Sequence, residues 1–263
     1  MDKVVVLAAG QGARMRRADA HAVLDSRQSQ AAAAGIKALI PIDRPFLDYV
    51  LSNVAATGYQ NVCLVIGPDH EALREYCQQR SGGRLQIEYA IQQEPLGTAH
   101  ALLAAADFTA DDPFLLINAD NFYPVAALRD LRQLESCGTI GFDRRALVER
   151  GNIPADRVAS FAAMQSDSAA WLVEIVEKSA GDDPDALLSM NCWRFGPAIY
   201  AACRQIEPSP RGEFEIPSAV IFSMQHLNQR YRVLPSAEPV LDMSHRSDIT
   251  SAAEHLRNTV VRL

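Results

Sequence analysis

Val4-Val5-Val6-Leu7-Ala8-Ala9-Gly10-Gln11-Gly12-Ala13-Arg14-Met15 is the stretch on which the fold turns. Its first four residues form an unbroken apolar run that stops at glycines, the pattern of a strand buried on both faces. Such strands belong to α/β sheets, whose crossover helices cover each side. The glycines allow a tight turn and bring backbone N–H groups against an anion. Arg14 adds a permanently charged planar fork suited to phosphate. Alone, a Gly-x-Gly after a strand is more often an ordinary turn than a phosphate loop. The third small residue of a dinucleotide loop is missing near Met15, and so are the lysine and hydroxyl that follow the last glycine of a Walker loop.

Working outward, short apolar runs alternate with segments of helical period. Phe46, Val50, Leu51 and Val54 follow Pro45 at helix spacing and stop at Gly58. Val62-Cys63-Leu64-Val65-Ile66 reads as a second buried strand, and Leu85, Ile87, Tyr89 and Ile91 alternate as a third. Thr98 is placed to cap a helix through Ala106. Phe114-Leu115-Leu116-Ile117 is a fourth strand, followed by Val125, Leu128, Leu131 and Leu134 at helical spacing. Four strand–helix units in succession, right-handed by default, predict a Rossmann-like, mostly parallel twisted sheet with helices on both faces. Beyond about 139 the pattern loosens, with strand-like pieces at Trp171–Val176 and Leu187–Phe195. This half is expected to complete the sheet and one wall of a cleft. No linker and no internal repeat divides the 263 residues, so a single domain is expected, in two halves over about 1–138 and about 139–263.

Composition narrows the class. With 48% hydrophobic and 22% charged residues, the chain is an ordinary globular protein. A formal net charge of -7 argues against a nucleic-acid partner, which needs a basic face. It does not argue against phosphate substrates, which need only local cations and backbone amides. Five scattered cysteines without a Cys-x-x-Cys pair fit reduced thiols and a cytoplasmic location. No run approaches the roughly 18 apolar residues of a membrane span, so no membrane partner is expected.

The run Leu7-Ala8-Ala9-Gly10-Gln11-Gly12-Ala13-Arg14-Met15 closely resembles the first motif of the sugar-1-phosphate nucleotidylyltransferases, the nucleoside-diphosphate-sugar pyrophosphorylases. The resemblance implies that Leu7, Ala8, Ala9, Gly10 and Gly12 wrap a nucleoside triphosphate and that Arg14 supports the departing pyrophosphate. Lys37, in Ile36-Lys37-Ala38-Leu39-Ile40-Pro41, matches the family's partner lysine, with Ile36 where proline is usual. Between these motifs, residues 16–36 are longer than the usual connection. A short helix is the plain reading of the insertion, and a mobile lid over the nucleotide is the sharper one.

Gln92-Gln93-Glu94-Pro95-Leu96-Gly97-Thr98-Ala99-His100 resembles the family's base-recognition segment. An amide carries both donor and acceptor, so Gln92 can pair with the imide edge of uracil or thymine. Gly97 admits the base to the backbone, and Thr98 completes the nucleotide set. UTP is favoured, dTTP next. His100 reads as a packed helix residue.

Asp120 ends the fourth strand, where open sheets place ligands. It resembles the family's magnesium-holding carboxylate, and Asp242 in Val240–Asp248 resembles the second one. Magnesium needs only one or two protein carboxylates. Glu177 and Lys178 resemble the pair that grips the sugar and its phosphate, with Lys178 counted as catalytic beside Arg14 and Lys37. Asn191 and Glu213 resemble further sugar contacts. No match to the family's sugar-side glycine is found around Arg157-Val158-Ala159. The departures cluster on the acceptor side and imply an unusual sugar phosphate.

The implied reaction joins a nucleoside triphosphate and a sugar-1-phosphate with Mg2+ as cofactor. Rival readings are a cytidylyltransferase acting on a non-sugar or acid-sugar acceptor, and a non-catalytic homologue that binds a sugar nucleotide. The assembly state, a homo-oligomer included, is left open.

Overall fold

The computed structural model describes residues 1–19, 22–80, 83–176 and 185–263. The first half supplies β1 (Lys3–Leu7), α1 (Ala13–Arg16), α2 (Ser26–Ala34), α3 (Phe46–Ala56), β2 (Asn61–Ile66), α4 (Glu71–Arg80), β3 (Gln86–Ile91), α5 (Thr98–Leu103), α6 (Ala106–Thr109), β4 (Phe114–Asn118), β5 (Asn121–Phe122) and α7 (Val125–Gln133). The second half adds β6 (Gly138–Phe142), α8 (Arg144–Glu149), α9 (Ala155–Val158), β7 (Ala162–Ser166), β8 (Leu172–Val176), β9 (Leu187–Phe195), α10 (Ala198–Cys203), α11 (Ile216–His226), β10 (Arg232–Ser236), β11 (Leu241–Asp242) and α12 (Ser247–Leu256).

The central sheet runs β10-β6-β9-β4-β1-β2-β3. Its β4-β1-β2-β3 part is parallel throughout, as the sequence pattern predicts. β9 enters antiparallel between β4 and β6, and β7 with β8 extends the sheet from it. The single α/β domain with a mostly parallel sheet is thus realised, and its antiparallel insert comes from the half whose sequence pattern is loosest.

The unbroken apolar runs are explained by the two faces. Val4 and Val6 pack into one hydrophobic core beneath α3 and α7. Val5 packs into the other, with Leu102 of α5, Ala202 of α10 and Val220 of α11. Phe114 and Leu116 likewise face one core, Leu115 and Ile117 the other. Both faces being apolar, every residue of such a strand must be apolar. In the second core Trp193 stacks on Phe195 at 5.5 Å and meets the edge of Tyr231.

Three helix boundaries differ from expectation. The helix expected to run through Ala106 stops at Leu103, and α6 begins at Ala106 after a two-residue turn. Thr98 does not cap α5; the N-cap is Gly97, and the Thr98 hydroxyl instead accepts the Ile216 N–H at 3.0 Å. Leu134 follows α7 in extended backbone rather than ending it.

The insertion forms the short helix α2. Asp25 caps it, accepting the Gln28 N–H, while the Gln28 side chain accepts the Asp25 N–H, a reciprocal capping box. The helix is tied down: Gln28 Nε2 donates to Pro41 O, Arg16 Nη2 donates to Ala34 O, and Thr250 of α12 donates to Val23 O. The short-helix reading therefore describes this segment, and its Ala32 lies in the core.

Where the insertion returns, its backbone abuts the first loop. Gly12 has φ +63, and a Cβ there would lie 2.1 Å from the Gly35 carbonyl oxygen. Gly10 has open space around the corresponding position. Gly12→Ala is therefore expected to destabilise the fold by more than the roughly 1–2 kcal/mol of a left-handed non-glycine residue, and Gly10→Ala to stay within about 0.5 kcal/mol of wild type. Urea unfolding midpoints check the contrast; equal effects would contradict the packing argument.

Candidate active site

At the C-terminal ends of β1, β3 and β4 lies a cleft of about 440 Å³. This is where an open parallel sheet leaves a crevice, because the loops leaving its strands diverge. The backbone of Leu7 to Ala13 forms its floor, Lys37 and Asp120 one wall, and Gln92, Gly97, Thr98 and Glu213 another. Leu7, Ala8, Ala9, Gly10, Gly12, Gln92, Gly97 and Thr98, the residues read as nucleotide contacts, all line this one cavity.

Gly97 shapes the second wall. Its φ of +103 and the 2.5 Å separation between a would-be Cβ and Phe214 O admit no side chain. Phe214 in turn brackets the loop: its N–H donates to Leu96 O, and its carbonyl accepts the Ala99 N–H. Glu213, next to it, is thereby carried to the cleft.

Lys37 Nζ and Asp120 Oδ2 form an ion pair at 2.8 Å. Burial alone would lower the Lys37 pKa, but the Asp120 carboxylate, with a smaller push from Asp242, raises it above the ordinary lysine value. Lys37 stays charged. Arg14 is exposed on the first turn after the loop; it does not line the cavity, yet its charge is felt by both Lys37 and His245.

Asp242 is buried behind Asp120, placed there by the antiparallel pairing of β11 with β5. Asn121 Nδ2 and Ser244 Oγ both donate to its Oδ1, at 2.9 and 3.1 Å. Its Oδ2 faces Arg157 Nη2 at 3.2 Å but makes no hydrogen bond. A buried carboxylate oxygen with a spare lone pair, beside a second carboxylate, fits a hard divalent cation that needs one or two such ligands. Among the described residues no three His, Cys, Asp or Glu side chains are arranged so that they could together hold a metal ion.

Arg157, Asn121 and Asp248 are contributions that sequence reading does not find. Arg157 Nη1 donates to both Asp248 oxygens at 3.0 and 2.9 Å and to His245 Nδ1 at 2.8 Å. Asp248 Oδ2 also accepts the N–H groups of Ser244 and His245, fixing the turn that presents Asp242. The signal for Asp248 was local, a carboxylate in the first turn of a helix; Arg157 reaches it from far along the chain and leaves no local trace.

Asn191 does not line the cavity. It interrupts β9 at φ +54, opposite the register shift between Thr139 and Gly141 in β6. Asparagine tolerates that left-handed backbone better than most residues. Its neighbour Met190 accepts the Tyr123 hydroxyl at 2.6 Å, which ties the kink to β5 beside Asp242. Glu177 and Lys178 lie outside the described residues.

A parallel sheet with a glycine loop, an amide-bearing wall and two carboxylates at one crevice has the layout of an enzyme that handles nucleotide phosphates. Residues 31–258 match the model of the nucleotidyl transferase family, and the chain belongs to that family. It is 29% identical over 221 residues to UTP–glucose-1-phosphate uridylyltransferase AglF of Haloferax volcanii, covering 83% of this chain and 82% of the relative. It is 31% identical over 225 residues to a glucose-1-phosphate thymidylyltransferase of Streptomyces antibioticus, covering 86% of this chain but 57% of the relative. The chain thus spans little more than half of that longer protein. The fold is shared with UDP-glucose pyrophosphorylase solved with UDP-glucose, with a TM-score of 0.76 at 16% identity over 99% of this chain and 100% of that one.

Burial, reinforced by the Asp120 charge, pushes the Asp242 carboxyl up to about 6 despite Arg157. A carboxyl raised in the folded state stabilises it at low pH and loses that contribution as pH rises from about 4, the unfolded value, to about 6. In chelator-treated protein, Asp242→Asn should therefore gain Tm relative to wild type between pH 4.5 and 7. A pH-independent offset would contradict the assignment.

Proposed function

We propose that this chain transfers the nucleoside monophosphate of a nucleoside triphosphate, UTP or dTTP in preference, to a sugar-1-phosphate, giving a nucleotide sugar and pyrophosphate. The observation that carries this reading is the convergence of the glycine loop, Gln92 and the Lys37–Asp120 pair on one cleft. The names of the relatives support it: one is a uridylyltransferase and another a thymidylyltransferase of glucose-1-phosphate.

In the proposed reaction a phosphate oxygen of the sugar-1-phosphate attacks the α-phosphorus in line. The bond to the bridging oxygen of the β-phosphate breaks, and that oxygen leaves with pyrophosphate. Such a transfer depends on positioning and charge neutralisation more than on covalent help. Leu7, Ala8, Ala9, Gly10 and Gly12 would cradle the triphosphate, with Arg14 and Lys37 beside the departing pyrophosphate. Gln92, Gly97 and Thr98 would hold the base. Glu177, Asn191 and Glu213 are assigned to the sugar, and Lys178 to the attacking phosphate. Asp120 and Asp242 would hold Mg2+, which would supply charge neutralisation at the phosphates.

Among the described residues no helix is long and apolar enough to cross a membrane, and the five cysteines are all free thiols, four of them buried. Free thiols support a reducing, cytoplasmic setting. The division of labour, with nucleotide held by residues before about 138 and sugar by those after, is part of the same proposal.

A pyrophosphate-release assay over UTP, dTTP, CTP, ATP and GTP with a panel of sugar-1-phosphates tests it. Turnover is expected with UTP or dTTP, and Lys37→Ala and Asp120→Ala should each lower kcat by about 10²–10³-fold. Near-normal turnover in either folded variant would overturn the assignment, and turnover with none of the pairs would favour a non-catalytic binding role.

A further inference from the structure

Gln92 ends just past β3, nearly buried, and its amide is already engaged. Its Nε2 lies 3.0 Å from Gly97 O and 3.2 Å from His100 Nδ1. A carbonyl oxygen only accepts, so the amide nitrogen, not its oxygen, must face Gly97. An amide nitrogen only donates, so His100 Nδ1 must accept, and the imidazole proton sits on Nε2. Both Nε2 protons are then used inside the protein. The cleft is offered a single group from this side chain, the acceptor Oε1.

We propose that His100 is a positioning residue for base selection: by taking one Gln92 proton it leaves only Oε1 to face the base, and so selects N–H-bearing uracil or thymine over cytosine. This rests on the reading of the cleft as a triphosphate site with Gln92 at the base. Uracil and thymine present N3–H to such an acceptor, whereas cytosine presents a lone pair at N3. Guanine also carries an N–H at the matching edge, and its size is what the cleft must exclude. His100 does not line the cleft and does not touch the base; it acts through Gln92. Its ring packs against Phe214 at 6.5 Å between centroids, on the segment that brackets Gly97. Replacement by phenylalanine keeps that packing but removes the acceptor. The amide is then held by Gly97 O alone, and its rotation can present Nε2–H to cytosine N3.

The test compares UTP and CTP for wild type, His100→Phe, His100→Asn and Gln92→Leu, by kcat/KM and by calorimetric binding of each triphosphate. An asparagine oxygen can stand where imidazole Nδ1 stands. His100→Phe should cut the UTP-over-CTP preference about tenfold, the scale of one unpaired buried donor, through a raised KM for UTP with kcat retained. His100→Asn should keep most of the preference, and Gln92→Leu should lose at least as much as His100→Phe. An unchanged preference in His100→Phe alongside a loss in Gln92→Leu overturns the role of His100 and leaves the base site standing. Equal losses in His100→Phe and His100→Asn overturn it too, because packing would then be the cause. An unchanged preference in Gln92→Leu overturns the base reading and this proposal with it. Should His100→Phe not fold, ¹⁵N NMR of the wild-type ring decides: an unprotonated Nδ1 is expected, and an Nδ1–H tautomer refutes the hydrogen bond.

Discussion

The Lys37–Asp120 ion pair is the contact on which the cleft depends. Lys37 sits on a one-turn helix that follows the inserted α2, and Asp120 lies in the turn just after the central strand β4. Their 2.8 Å contact therefore fastens the outermost part of the N-terminal half to the middle of the sheet. Both partners are largely withdrawn from water, so neither charge is cheaply left alone. Removing one strands the other, whereas exchanging one for a phosphate or a cation does not.

The same logic repeats one step deeper. Asp242 is held by Asn121 and Ser244, faced by Arg157, and Arg157 is anchored in turn by both oxygens of Asp248. Asp120 thus has Lys37 as its cation, and Asp242 has Arg157. The pairing of β11 with β5 and the tie from Tyr123 to Met190 lock this arrangement to the kink at Asn191. The turn carrying Asp242 and the kinked strand β9 are therefore joined through one hydrogen-bonded seam.

Much of the first half was legible because parallel strands buried on both faces write themselves as unbroken apolar runs. Val4 to Leu7, Val62 to Ile66 and Phe114 to Ile117 could be placed without knowing their partners. The second half was not, because β9 joins β4 and β6 antiparallel through residues distant in sequence. Lys37 and Asp120 were legible by resemblance of motif, as was Gln92, but the orientation of the Gln92 amide depends on Gly97 O and His100 Nδ1, which only the folded loop brings to it. Thr98 was misread as a cap because the Ile216 N–H, supplied from the other half of the chain, claims its hydroxyl. Arg157 left no trace at all: its three partners lie some ninety residues further on.

The central proposal is that Asp120 helps to hold a divalent cation beside the bound nucleotide. Electron paramagnetic resonance of free Mn²⁺, titrated into the protein with and without UTP, tests it directly. The account predicts one Mn²⁺ held per chain in the presence of UTP, and much weaker retention by Asp120→Asn under the same conditions. Retention by Asp120→Asn equal to wild type would contradict it.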